Sequence, residues 1–395
     1  MVLLVSADAV IVAGAGAVPN LRSLPRFPVV KDSRTVAAYS FSKAIHESVL
    51  VSTRFDSDSD GRPDKVSVDL IRPREPATAG VKVPVIMIAS PYNDQSKSGA
   101  RSEVKKYDAT GTITTLPTDL DIYYVPRGYA VAMVDLPGTS RSTGCMDTGG
   151  PVEIGGVVAV IDWLNGRGTA TFRDGRRAVA DWSTGKVGMT GVSWPGSTAN
   201  GVAATGVEGL VTIVPIAAIS SWYHHFVHDD GYGGGARPTA YQGDLDDRPR
   251  GVCDRAEARQ LADAEGDGDR RRSYWAPRDY RAKASRVRAS VFAVHGLADS
   301  NVVPSQTTRW WSALVKAKVP AKLWLSRAGH ADPYDYRRSE WRDVLHRWFD
   351  YWLYGIPNGI MDEPPVSYER SFGHWVEQRT IDNLDPVKVM NLRSS

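Results

Sequence analysis

Two apolar runs organise the reading of this chain. Val83–Ser90 and Tyr129–Asp135 are nearly continuous in hydrophobic residues, as strands buried on both faces should be. Ahead of them, Leu50–Phe55 and Val66–Arg72 read as two strands joined through Asp60-Gly61. Val152–Leu164 then takes helical spacing, Lys186–Val192 runs into a glycine-flanked turn, and Leu210–Ile216 is a further buried strand. The pattern resumes with strands at Ser290–His295 and Lys322–Ser326, and a helix is predicted over Ser305–Lys316, just after Pro304. A last helix over Arg338–Tyr354 places Trp341, Val344, Leu345, Trp348 and Trp352 on one face, a stripe made for core packing. Strands alternating with helices predict an α/β fold with a mostly parallel sheet covered on both sides. Residues 221–285 lose the strand pattern and fill with Gly, Asp, Arg and aromatics, as an inserted lid would. The predicted core is therefore 48–220 plus 286–362, with 1–47 as an extension.

Composition narrows the function. Lys and Arg are scattered among Asp and Glu, and the formal net charge is only +3, so there is no basic stripe for nucleic acid. No apolar run reaches the ~18 residues of a membrane span. Met1–Ala17 is apolar and holds small-residue steps that resemble a signal cleavage site, yet carries Asp8 and no positive leader. Secretion is the expectation, with a cytoplasmic protein carrying an irregular extension as the alternative. Cys145 and Cys253 can bridge in an exported protein or stay as buried thiols.

Candidate chemistry centres on Gly191-Val192-Ser193-Trp194-Pro195-Gly196, between a strand and a small-residue helix. A nucleophilic serine there needs a tight turn, and small neighbours let the backbone close around it. The hydroxyl also needs a base, and the base a group that fixes its tautomer. Asp299 follows the strand ending at His295, and His330 follows the strand ending at Ser326. The order Ser, acid, His at strand ends is that of an α/β-hydrolase core. Ser193 is the expected nucleophile, His330 the base and Asp299 its orienting acid. The backbone N–H of Trp194 and the phenol of Tyr92 are the expected oxyanion donors. No cofactor is expected.

With those residues placed, the chain resembles the X-prolyl dipeptidyl-peptidase and cocaine-esterase family of serine hydrolases. The likeness rests on Ser90-Pro91-Tyr92, Val125-Pro126-Arg127-Gly128-Tyr129, Asp135 through Gly144, Gly191 through Gly196, Gly201 through Leu210 and Ile219 through Tyr223. It continues in His295-Gly296 with Asp299, Asn301 and Val302, and in Trp352-Leu353-Tyr354-Gly355 with Asn358-Gly359-Ile360. It implies the same triad and Tyr92 as the side-chain oxyanion donor. Where the resemblance implies Tyr after the serine, the chain has Trp194; Pro137 and Ser140 depart where Arg and Gly are implied, so that loop is expected to repack. The resemblance also implies a C-terminal jelly-roll sandwich, of which Pro365–Val376 would be only a first strand. The expectation is a truncated chain, with 363–395 beginning the missing domain.

Other signals weigh less. Asp56, Asp58, Asp60, Gly61 and Asp64 resemble half of a calcium loop, but Ser67 stands where the closing Glu belongs, which favours a plain turn. His224, His225 and His228 have metal-capable spacing without a completing cluster, and no metal is expected. Asp229 or Asp230 could pair with the amino group of a peptide substrate. The expected activity is release of X-Pro dipeptides from peptide N-termini. An esterase or acylase of the cocaine-esterase type is the alternative, and an inactive remnant a third reading. Substrates would be peptides or small esters, with no nucleic-acid or membrane partner.

Overall fold

The computed structural model describes residues 27–93, 104–227, 245, 247–266 and 268–380. The main sheet is built from β1 (Ile45–Ser52), β2 (Lys65–Arg72), β3 (Val83–Ser90), β4 (Ala130–Asp135), β5 (Ala170–Phe172), β6 (Arg177–Ala178), β7 (Ser183–Val192), β8 (Leu210–Ile216), β9 (Ser290–Gly296), β10 (Ala321–Ser326), β11 (Val366–Ser371) and β12 (His374–Gln378). They lie in the order β6-β5-β1-β2-β4-β3-β7-β8-β9-β10-β11-β12. From β4 to β11 every pairing is parallel, with antiparallel strands closing both edges. The exchanged order of β3 and β4 followed by parallel strands is the arrangement expected of an α/β-hydrolase sheet.

Alternation along the strands explains why both faces are covered. Val85, Met87 and Ala89 of β3 point into one core, together with Ala130, Ala132 and Val134 of β4. Ile86, Val131 and Met133 point into the other. The first core lies under helices Pro151–Leu164, Trp194–Ala203 and Ser305–Lys316; the second lies under Leu120–Tyr124 and Arg338–Phe349. Trp341, Val344, Leu345 and Trp348 are buried as the helical spacing predicted. The α-helix ends at Phe349, and Asp350–Tyr354 continues as a wider π turn that leaves Trp352 only partly covered.

Two boundaries differ from the sequence reading. β1 starts at Ile45, inside the segment read as an extension, and residues just before it are anchored. Thr35 donates through its backbone N–H (2.8 Å) and its hydroxyl (2.9 Å) to the buried carboxylate of Asp350. At the other end, Pro365–Val376 does not open a separate sandwich. Val366 pairs parallel with Leu323 on the edge of β10, and the chain then turns back as β12. An alternating strand reads the same whichever sheet receives it, and the open edge of β10 receives this one.

The described part of the inserted segment is helical, in Trp222–Phe226, Asp254–Ala264 and Gly268–Trp275. It is tied to the loop before Pro151 by a disulfide between Cys145 and Cys253, 108 residues apart. Arg278 adds bonds to the carbonyls of Asp147 (2.5 Å) and Thr148 (3.1 Å), and the Tyr280 hydroxyl donates to that of Gly149 (2.6 Å). A bridge closing a loop of this length removes much unfolded-state entropy. Cys145→Ala/Cys253→Ala is therefore expected to lower unfolding free energy by about 2–4 kcal/mol, measured by urea titration. An unchanged urea midpoint would contradict that expectation. Among the described residues no helix is long and apolar enough to cross a membrane.

Candidate active site

The candidate residues Ser193, Asp299 and His330 gather at the carboxyl ends of the parallel strands, where open α/β sheets place their ligands. At the end of β7 the backbone of Ser193 takes φ 64° and ψ −123°, a region a non-glycine residue occupies at a cost of about 1–3 kcal/mol. Its N–H donates to the Ile216 carbonyl (2.9 Å), and its carbonyl accepts from Ser197 N–H (2.9 Å) and Oγ (2.8 Å). Glycine is required on both sides. A Cβ on Gly191 would sit 2.4 Å from the Pro195 ring, and one on Gly196 would sit 2.6 Å from the Gly191 carbonyl oxygen. The turn thus stands Ser193 at the head of helix Trp194–Ala203, half-buried.

Past the end of β9, Asp299 is buried and fully engaged. Its Oδ1 accepts from the N–H groups of Asn301 and Val302, each at 2.9 Å, and its Oδ2 lies 2.7 Å from His330 Nδ1. His295, four residues earlier, places Nε2 3.3 Å from the same Oδ2. Burial alone would raise the Asp299 carboxyl, but the hydrogen bonds from His295 and His330 outweigh it and hold it well below the usual carboxylate range. With Nδ1 of His330 on the carboxylate, Nε2 is the nitrogen left to face a nucleophile. Ser193 and His330 line one cavity of about 610 Å³, with Tyr92, Asn93 and Ile216 also on its wall.

Tyr92 follows the end of β3, where its N–H donates to Ser90 Oγ (3.1 Å). Its ring meets that of Trp194 edge-to-face, with centroids 6.4 Å apart. Asn93 beside it donates to Asp135 at the end of β4 (2.8 Å), and Asp135 also accepts from Lys105 (2.6 Å). Burial works against the Lys105 ammonium, yet Asp135 and Asp69 together keep it above its ordinary range. This buried network anchors Asn93, the residue next to Tyr92. The sequence reading missed it, although Asp135 and Asn93 both stand at the ends of strongly apolar runs, where polar residues are conspicuous.

Among the described residues, His224 and His225 of the lid do not join a metal-capable group. His224 contacts Ser221 and Arg281, whereas His225 is buried with Nδ1 unpartnered among the described residues. His228, Asp229 and Asp230 lie outside the described residues. Burial and the nearby His330 push the His225 imidazolium down to about 4, against the pull of Asp299. A folded value below the unfolded one gives stability that is complete above 6.5 and lost as the pH falls towards 4. Relative to His225→Phe, the wild type should lose about 3 kcal/mol of unfolding free energy between those limits. Parallel pH profiles of the two urea midpoints would contradict this.

The loop between β1 and β2 is longer than a tight hairpin turn. Asp56 closes it by accepting from the N–H groups of Asp60 (3.0 Å) and Gly61 (3.1 Å). Carboxylate oxygens of Asp56, Asp58 and Asp64 lie within 4.8 Å of one another. The departures at Pro137 and Ser140 sit in a loop with its own geometry: Ser140 has φ 48°, and Pro137 packs against Gly156.

The sequence pattern described as X-Pro dipeptidyl-peptidase (S15 family) matches residues 60–332. This chain belongs to that family. It is 50% identical to a Streptomyces avermitilis protein named "Putative Xaa-Pro dipeptidyl-peptidase", over 86% of this chain and 50% of the relative. Identity with the Xaa-Pro dipeptidyl-peptidase of Lacticaseibacillus casei is 32%, over 82% of this chain and 47% of that one. The chain thus spans about half the length of these S15-family relatives. Among solved structures, an α-amino acid ester hydrolase superposes with a TM-score of 0.59 at 19% identity, over 91% of this chain and 62% of that one. A CocE/NonD family hydrolase from Staphylococcus aureus gives 0.57 at 16%, over 91% and 62%. At that identity the likeness shows the shared fold, which is the α/β-hydrolase fold.

Proposed function

We propose that this S15-family chain is a serine exopeptidase that releases X-Pro dipeptides from peptide N-termini. The observation that carries the reading is a strained serine and a carboxylate-held histidine on the wall of one cavity. Ser193 Oγ attacks the proline carbonyl carbon while His330 Nε2 takes the hydroxyl proton. Asp299 holds the imidazole and stabilises its charge. The Trp194 N–H and the Tyr92 hydroxyl receive the oxyanion. His330 returns the proton to the departing amine as the C–N bond breaks, leaving an acyl-enzyme. Water, deprotonated by the same histidine, then hydrolyses the ester and restores Ser193. Asp229 or Asp230 would hold the substrate ammonium. Export fits this reading, because a Cys145–Cys253 bridge persists in an oxidising compartment.

Hydrolysis of Gly-Pro p-nitroanilide, compared with p-nitrophenyl butyrate, tests the proposal. The peptidase reading predicts turnover of the anilide. Turnover of the ester alone would assign the chain to the esterase alternative, and failure on both would support the inactive reading.

A further inference from the structure

Behind the nucleophile turn lies a buried carboxylate that the mechanism above leaves unused. Glu153, in the first turn of helix Pro151–Leu164, is completely covered. Its Oε2 accepts from the Trp194 indole Nε1–H (3.1 Å) and the Gly149 N–H (2.9 Å), and its Oε1 from the Asp147 N–H (3.2 Å). Asp147 answers by accepting from the N–H groups of Glu153 (3.0 Å) and Val152 (2.8 Å). Arg278 stands 3.8 Å from that carboxylate. Burial and the adjacent Asp147 push Glu153 up to about 7, so holding a carboxylate here opposes its solvation.

Trp194 is the residue this group restrains. It follows Ser193 directly, so its backbone N–H and its indole leave the same Cα. The indole is gripped on three sides: Glu153 at Nε1, the Trp222 ring at 4.8 Å, and the Tyr92 ring edge-on at 6.4 Å. The two expected oxyanion donors therefore share one buttress, which Glu153 tethers by a hydrogen bond at its far edge. Packing alone leaves a flat ring some freedom to slide, whereas a hydrogen bond at its far edge fixes its rotation.

We propose that Glu153 is a positioning residue for the oxyanion hole, acting through the Trp194 indole on the Trp194 N–H and, across the ring contact, on Tyr92. This rests on the serine-hydrolase reading of Ser193. Losing the tether loosens donors that matter most in the transition state, so kcat falls while KM holds.

The test uses the full chain with Glu153→Gln, Glu153→Leu, Trp194→Phe and the Glu153→Gln/Trp194→Phe pair, on Gly-Pro p-nitroanilide and p-nitrophenyl butyrate. Rates are expressed per Ser193 titrated with a fluorophosphonate, and melting is followed by circular dichroism. Glu153→Gln, which keeps one acceptor, should lower kcat about 10-fold and Glu153→Leu about 100-fold, with KM changed less than about 2-fold. In the Trp194→Phe background, Glu153→Gln should add less than about 3-fold, because the tether is already gone. Fewer titrated sites with normal kcat per site, or full additivity in the pair, would overturn the proposal in favour of a purely structural role. If Glu153→Leu does not fold, the near-isosteric Gln variant and Trp194→Phe carry the comparison. Normal kcat in the Glu153 variants beside an inactive Ser193→Ala would overturn this proposal alone. An active Ser193→Ala, or a wild type with neither turnover nor titration, would overturn the parent reading and this one with it.

Discussion

Ser193→Ala is expected to lower kcat by at least about four orders of magnitude, with KM little changed and melting within a few degrees of wild type. In the proposed mechanism the hydroxyl is the group that becomes bonded to substrate carbon. The same substitution leaves the turn intact. Ser193 holds its place through its backbone, with N–H on Ile216 and carbonyl on Ser197. Alanine at φ 64° carries a strain similar to that of serine. Loss of activity together with loss of fold would point to a structural serine. Retained activity would remove Ser193 from the mechanism altogether. Both are read from one preparation, by steady-state kinetics and thermal melting.

Asp299→Asn is the second large effect, and its sign follows from tautomers. The wild-type carboxylate accepts the His330 Nδ1 proton at 2.7 Å, which leaves Nε2 free to take a proton from Ser193. Asparagine can keep the two backbone bonds to Asn301 and Val302 through its carbonyl oxygen. Its amide N–H₂ then faces His330 Nδ1 and donates, so the ring proton moves to Nε2. That nitrogen can no longer act as a base, and the positive imidazole of the transition state loses its counter-charge. A fall of about 10⁴ in kcat is expected near neutral pH, with KM within a few-fold. A loss below about tenfold would mean that the carboxylate only shapes the loop.

How much of this was legible in advance depended on what kind of signal each residue leaves. Val83–Ser90 and Leu210–Ile216 became strands with the predicted bounds, because a parallel strand buried on both faces has no other use for an unbroken apolar run. Ser193, Asp299 and His330 could be nominated as candidates because each lies within four residues of a strand end, where this sheet gathers its loops. Neither the Asn93–Asp135–Lys105 network nor the Glu153–Trp194 bond was visible. The residues they join lie far apart in sequence, and a single charged residue beside an apolar run reads as a solvated one until the fold buries it. His295 was read as the end of a strand and as part of the family likeness, with no role of its own, although it lies four residues from Asp299 and shares its carboxylate. The C-terminal strand was recognised as a strand and assigned to the wrong sheet. Alternation reports that a segment is half-buried, and says nothing of which open edge it joins.

The account turns on Ser193 being a nucleophile made reactive by its setting. The most direct measurement treats the full chain with a fluorophosphonate at neutral pH and maps the adduct by peptide mass spectrometry. The account predicts one adduct per chain, on Ser193, greatly slowed in His330→Ala. No adduct, an adduct on another serine, or labelling that proceeds at the wild-type rate without His330 would contradict it.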